Sequence, residues 1–387
     1  MKHVRMGVIG LGNIGLHHAD YLQQNKIDGA VLAAVSDVRV EHAQRWAAER
    51  GGAVRTFDTA EELIDSGACD AVIVATPPGN HPPLAIRAFA HDLHVLVEKP
   101  AGAYCSQVRE MNQAAAASGK VFGIMFMRRA FPVFQKAKDL IASGEIGEIQ
   151  RTQWTTTQWF RVQDYYDSGG WRGTWKGEGG GVLNNQCPHD LDVWQWLCGM
   201  PAKLRGFCRF GQWHDIEVED DVTAYVEYPN GATGVFVAST GEFPGINRFE
   251  IVGDRGTLTI TEDKALALKR SRVPVRQFSR EFKGGFGCPE CWNVEIPLSP
   301  RQGENRDITQ NFVNAILKGD PLIAPGEEGI RSLELADAMR LSTWLDAPVT
   351  LPIDDARYSE ILQEKILAAK PKKVTETRTF DVNQSWR

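Results

Sequence analysis

Short apolar runs alternate with helical stretches along the first third of the chain. Residues 4–9, VRMGVI, form one run, and IGLHHADYLQQN behind them carries apolar residues at helical spacing. VLAAVS (31–36), DAVIVAT (70–76), LHVLVEK (93–99) and VFGIMFM (121–127) repeat the strand pattern. VEHAQRWAAERGG, HPPLAIRAFAHD and residues 104–118 read as the helices between them, and Thr59-Ala-Glu-Glu62 is a capping box opening a short one. This alternation predicts a doubly wound α/β domain with a parallel sheet over residues 1–127. Beyond it the pattern changes. A helix at 133–143 precedes the alternating segment EIQRTQWTTTQW (148–159). Short β-rich runs follow at 203–211, 221–228, 233–239, 247–252 and 256–261, with turns at Pro229-Asn230-Gly231 and Gly253-Asp254. They predict an antiparallel sheet, closed by helices near 304–318 and 329–345. The second unit is expected over 128–354, and residues 355–387 as a helix and polar tail packed on a partner subunit.

Composition narrows the class. The chain has 387 residues, 43% hydrophobic and 24% charged, with a net charge of -6. That balance gives no electrostatic reason to expect nucleic acid or an anionic membrane as partner. No apolar run reaches the ~18 residues of a membrane span. The chain enters its first strand at once, which leaves no room for a signal peptide. Seven cysteines, an odd number, suit free thiols in a reducing cytoplasm. Cys288-Pro-Glu-Cys291 lacks a second pair or a histidine at zinc spacing, so we expect two loop cysteines and no metal.

The strand VRMGVI runs into Gly10-Leu11-Gly12-Asn13-Ile14-Gly15 and then a helix, the context a dinucleotide fingerprint requires. Gly10 permits the tight turn, Gly12 a close backbone approach to a pyrophosphate, and Gly15 close packing of helix on strand. Asn13 and Ile14 open the helix whose N-terminus faces the phosphates. Asp37 ends the next strand, where an acid meets the adenosine ribose hydroxyls and repels a 2′-phosphate. We therefore expect NAD, with NADP disfavoured; Arg39 tempers this. Ligands of such sheets lie beyond the carboxyl ends of the strands. Thr76-Pro77-Pro78 and Glu98-Lys99-Pro100 sit at such ends, and His81 opens a helix that supports the cofactor loop. Lys99 is placed to polarise a substrate oxygen.

A second candidate lies in GGGVLNNQCPHDLDVWQW (179–196). His189 follows a glycine-rich turn, and Asp192 falls on the same helical face, where it is expected to orient the imidazole. A histidine of near-neutral pKa is a suitable base for alcohol oxidation. Four residues earlier, where a carboxylate would complete an acid–base pair, stands Asn185. Six of the eleven tryptophans lie between Trp154 and Trp196. Trp171, Tyr166 and Arg172 beside the turn offer aromatic faces and a hydrogen-bonding cation to a polyol ring.

GVIGLGNIG, ATPPGNH (75–81), EKP (98–100) and GGGVLNNQCPH, in this order, resemble the Gfo/Idh/MocA oxidoreductases, the glucose–fructose oxidoreductase and inositol dehydrogenase family. The resemblance covers roughly residues 1–350. It implies a Rossmann domain followed by a domain with a large, mostly antiparallel sheet, NAD(P)-dependent interconversion of a sugar or cyclitol alcohol and a ketone, and a homodimer or homotetramer. It also implies that Lys99 hydrogen-bonds the reacting hydroxyl, that His189 accepts its proton, and that Asn185 replaces an aspartate of the inositol dehydrogenases. Two other readings stay open: a glycosidase or epimerase using transient oxidation by held NAD, and a non-catalytic NAD-responsive regulator.

Overall fold

The computed structural model describes residues 2–301 and 303–369. The first sheet has six strands: β1 (Val4–Ile9), β2 (Ala30–Ser36), β3 (Arg55–Phe57), β4 (Ala71–Val74), β5 (His94–Val97) and β6 (Phe122–Ile124). They are ordered β3-β2-β1-β4-β5-β6 and every pairing is parallel. All four residues of β4 are buried, as unbroken apolar sequence requires of a strand covered on both faces. The strand order reverses between β1 and β4. The loops that leave their carboxyl ends therefore part, and they open a crevice at that end of the sheet.

The second sheet has nine strands: β7 (Ile149–Thr156), β8 (Lys203–Phe210), β9 (Glu219–Glu227), β10 (Thr233–Ser239), β11 (Asn247–Gly253), β12 (Gly256–Thr261), β13 (Ala265–Ser271), β14 (Cys291–Val294) and β15 (Val349–Thr350). Their order is β14-β13-β12-β11-β7-β10-β9-β8-β15. The sheet is mixed rather than purely antiparallel, because β7 pairs in parallel with β10. In β9, Val222, Ala224 and Val226 face inward while Thr223, Tyr225 and Glu227 face out. Leu191 and Trp194 of helix Pro188–Cys198 and Leu335, Ala338 and Met339 of helix Gly329–Leu345 share the core beneath that inner face.

One expectation about the C-terminal part needs correcting. Helix Asn305–Lys318, assigned by its position to the second unit, buries Ile308, Phe312 and Val313 in the core of the first sheet. Each is worth about 2 kcal/mol of burial, and an apolar stripe does not say which core it will join. Helix Asp355–Ala368 packs on its own chain. Tyr358, Ile361 and Leu362 enter the second core, and Asp355 accepts Arg109 Nε at 2.5 Å. The polar tail expected beyond it lies outside the described residues.

The segment that follows β6 is pinned to the second unit. Arg128 and Arg129, each 1% exposed, follow β6. Arg128 pairs with Asp190 at 2.6 Å and Asp263 at 3.1 Å, and Arg129 with Asp192 at 2.6 Å and Glu328 at 2.5 Å. Buried charges of this kind must be paired, and removing one partner is costly. Asp190 and Asp192 lie near the start of the helix that carries His189, so these bridges tie that helix to the segment leaving β6.

Candidate active site

The dinucleotide cradle has the geometry its glycines predict. Gly10 has φ +90°, and a Cβ there would meet the Ala75 carbonyl at 2.7 Å. A Cβ on Gly15 would come within 1.8 Å of the Gly10 carbonyl, so this helix can lie against the turn only without a side chain. Around Gly12 nothing lies within 4 Å, which leaves open space over the N-terminus of helix Asn13–Gln23. Unpaired N–H groups and the helix dipole suit a pyrophosphate at that spot. Asp37 accepts the Leu11 N–H at 2.7 Å and the Arg39 N–H at 2.8 Å. Arg39 also donates its Nε to Asp37 at 3.2 Å, which draws the guanidinium toward the acid. Ser36 Oγ and Thr76 Oγ1, at the ends of β2 and β4, are buried without a hydrogen-bond partner among the described residues. Buried polar atoms are rarely left so unless a ligand or water completes them. Gly12, Thr76 and Asp37 thus fit a dinucleotide.

The next two loops are tied together from behind. His81 contacts the Pro100 carbonyl through Nδ1 at 2.8 Å and the Thr76 carbonyl through Nε2 at 2.7 Å. Burial lowers its pKa, and a neutral imidazole donates to one of the two. His81 is 1% exposed and links the loop after β4 to the one after β5, so it acts as support. Glu98 is likewise occupied. Its Oε1 accepts from His18 Nε2 at 2.7 Å, and its Oε2 accepts the Lys99 N–H at 3.0 Å. Burial works against the charge on Glu98, but His18 and Lys99 outweigh it and the carboxyl stays below its ordinary pKa. His18 is a partner that the sequence analysis did not single out. Only the contact across 80 residues reveals it.

Lys99 reaches across to the second unit and donates its Nζ to the Asn185 backbone carbonyl at 3.0 Å. Burial lowers its pKa, against the pull of Glu98 and Glu178 and with help from Arg172 and Arg128. The glycine-rich turn makes this approach possible. A Cβ on Gly179 would strike the Ala103 carbonyl at 2.6 Å, one on Gly180 the Arg340 guanidinium at 2.3 Å, and one on Gly181 the Glu219 carbonyl at 1.9 Å. Glu219 Oε1 accepts the Gly181 N–H at 2.9 Å and so anchors the start of helix Val182–Asn185. His189 is the second residue of helix Pro188–Cys198 and is 5% exposed. Its Nδ1 is buried without a partner among the described residues. Burial, with the charges of Lys99 and Arg128 nearby, pushes its pKa well below 6.5, so the ring is neutral at pH 7.

The structure does not bring every expected residue to this point. Asp192 does not orient His189. Arg129 donates Nη2 and Nε to its two oxygens at 2.6 and 2.9 Å, and Gln195 donates at 2.9 Å. Sharing a helical face was not enough, because Arg129, on the segment just after β6, meets that face first. Tyr166 is 2% exposed and its hydroxyl is bonded to Thr240 Oγ1 at 2.9 Å, so it is a core residue. Its neighbour Tyr165 takes the expected place. The Tyr165 hydroxyl donates to Asn185 Oδ1 at 3.1 Å and accepts from Arg172 Nη1 at 2.7 Å. The Arg172 guanidinium lies between the rings of Tyr165 and Trp171, 4.5 and 4.4 Å from their centroids. Glu178 was also missed. It is 2% exposed and accepts from the Asn185 side-chain amide and from the Gly173 N–H at 2.7 Å. Burial raises its pKa, opposed by Arg172, Asn185 and Gly173. An acid inside a glycine-rich turn was the available signal.

Both parts of the chain match known protein families. Residues 4–126 match the family described as "Oxidoreductase family, NAD-binding Rossmann fold", and residues 134–259 match the "GFO/IDH/MocA C-terminal domain". The chain is 30% identical to scyllo-inositol 2-dehydrogenase (NAD(+)) of Bacillus subtilis (strain 168) over 67% of its own length and 75% of the relative's. It is 28% identical to inositol 2-dehydrogenase of Rubrobacter xylanophilus over 90% of this chain and 93% of that one. Among solved structures, the WlbA dehydrogenase from Bordetella pertussis in complex with NADH and UDP-GlcNAcA superposes with a TM-score of 0.76 at 25% identity, covering 91% of this chain and 100% of that one. With its NAD-binding Rossmann domain and its second, mixed sheet, the chain belongs to the Gfo/Idh/MocA oxidoreductase family.

Proposed function

We propose that this protein is an NAD-dependent dehydrogenase that interconverts a secondary alcohol and a ketone on a cyclitol or sugar. The observation that carries the reading is the meeting of Lys99 with the Asn185–His189 segment beside the dinucleotide cradle. Bound NAD would lie on Gly10–Gly15 and Asp37, and its nicotinamide supplies the hydride acceptor. Lys99 Nζ donates to the oxygen of the reacting hydroxyl and holds it as negative charge develops. The neutral imidazole of His189 takes the hydroxyl proton on a ring nitrogen while the hydride leaves the carbon, so one proton and one hydride account for both hydrogens lost. Trp171 offers a ring face, and Arg172 and Asn185 hydrogen-bonding groups, to the remaining hydroxyls. Relatives named inositol 2-dehydrogenase and a neighbour solved with NADH and a sugar nucleotide favour a polyol ring as substrate.

The assembly we favour is a homodimer or homotetramer. The outer face of the second sheet exposes Phe207 at 52% and Tyr225 at 41%, suited to a second copy, and light scattering on a sizing column reads the mass. All seven cysteines are free, which suits a cytoplasmic location. No described helix is long and apolar enough to cross a membrane.

The test is reduction of NAD by the purified protein with a panel of inositols, free sugars and glycosides, each mixture also checked for altered sugar. NADH formed with one class supports the reading. Altered sugar without net NADH favours transient oxidation instead. Bound NAD with neither signal on any member of the panel counts against a dehydrogenase.

A further inference from the structure

The carboxylate that the sequence lacks at position 185 stands one hydrogen bond behind it. Glu178 ends the short helix Trp175–Glu178, held there by the Gly173 N–H on Oε2 and the Asn185 side-chain amide on Oε1. Both partners are donors. An ionised carboxylate accepts at both oxygens and satisfies them together. With its Nδ2 committed to Glu178, Asn185 turns Oδ1 toward Tyr165, whose hydroxyl donates to it at 3.1 Å. The same residue's backbone carbonyl accepts Lys99 Nζ at 3.0 Å. Asn185 is therefore the joint between a buried acid on one side and the active-site lysine on the other.

We infer that Glu178 is a positioning residue for the dehydrogenase reaction, its carboxylate fixing the Asn185 amide and, through that residue's backbone, the reach of the Lys99 ammonium. The inference rests on the dehydrogenase reading given above. A purely local role, closing the turn onto Gly173, needs one acceptor oxygen and would tolerate glutamine. The relay does not. A glutamine offers one acceptor and one donor, so an N–H faces a donor unless Asn185 turns its amide over and gives up the hydrogen bond from Tyr165. Asn185→Asp fails for the opposite reason: two buried carboxylates then face each other and can share only one proton. Combining E178Q with N185D restores the pairing with its polarity reversed. The new amide at 178 accepts from Gly173 and donates to the new carboxylate at 185, which still accepts from Tyr165.

The experiment compares the full-length wild type, E178Q, N185D and E178Q/N185D. It reads melting temperature without substrate, and kcat and KM with the substrate that the wild type accepts. Each single substitution should lower kcat by ~10-fold or more while KM for NAD stays within about two-fold, and the double variant should regain ~10-fold over the weaker single. Its melting temperature should exceed that of N185D alone. A double variant whose kcat is the product of the two single losses, or lower, overturns the relay. If E178Q does not fold, the double variant against N185D decides: higher activity and melting temperature support the relay, equal or lower values sink it. A wild type inactive on every substrate counts against the dehydrogenase reading, and the melting temperatures of the same four proteins still decide whether Glu178 and Asn185 act as a pair.

Discussion

Two glycine-rich turns shape this molecule, and they use glycine for different ends. At Gly10–Gly15 the glycines clear space: nothing lies within 4 Å of a Cβ built on Gly12, and the opening faces a helix N-terminus. At Gly179–Gly181 they close space. Each would drive a Cβ into a neighbour, and Gly181 would meet the Glu219 carbonyl at 1.9 Å. One turn leaves room for a ligand, and the other lets the second sheet and the loop after β5 come close enough for Lys99 to touch Asn185. The same residue type thus builds a binding surface in one place and a junction in the other.

Breaking the junction chemically should have the largest effect. Lys99→Met removes the ammonium that crosses from the loop after β5 to Asn185, and turnover should fall ~10²–10⁴-fold with NAD affinity nearly unchanged. A loss of NAD binding instead would place Lys99 in the cradle. Breaking the junction sterically comes next. Gly181→Ala sets a methyl against backbone and should cost about 3 kcal/mol of stability, read as a lowered denaturant midpoint. Gly12→Ala is the matched substitution in the cradle. Its stability should stay within about 0.5 kcal/mol, because the methyl meets nothing, while NAD affinity falls ~10-fold or more. If both glycine variants lose stability alike, the contrast between the turns is wrong.

These two turns also differ in how far the sequence disclosed them. GLGNIG carries its meaning locally, since strand, turn and helix are consecutive and the space above Gly12 follows from them. The parallel sheet and the placing of Thr76 and Glu98 at strand ends were readable for the same reason. GEGGG has neighbours about 40 to 160 residues away in Ala103, Glu219 and Arg340. No periodicity announces such contacts. That is why Asp192 was expected beside His189 when Arg129 holds it, and why Tyr166 was preferred to Tyr165. It is also why helix Asn305–Lys318 was assigned to the wrong core: its stripe specifies burial but not a partner surface. Asn185 looked like a missing acid because Glu178, seven residues earlier, joins it only once the turn has folded.

The smallest effect concerns protons. Burial beside Lys99 and Arg128 holds the folded pKa of His189 well below 6.5. The unfolded chain takes up that proton near pH ~6.5 and the folded one does not, so the unfolded state binds more protons below that pH. Stability from this residue is complete above pH ~6.5 and declines as pH falls through the window beneath it. His189→Gln should therefore flatten the fall in melting temperature between about pH 7 and pH 5, by no more than one proton's share. His81, lowered for the same reason, keeps part of the slope in the variant. An unchanged slope would mean that His189 takes up its proton equally in the folded and the unfolded chain.

The most direct test of the account is NADH formation by His189→Ala beside wild type, on a substrate the wild type oxidises, with NAD binding measured on the same samples. The account predicts equal NAD affinity and turnover reduced ~10²-fold or more. Turnover equal to wild type would remove His189 from the proton transfer, and with it the claim that the Gly179–His189 turn is the catalytic half of the site.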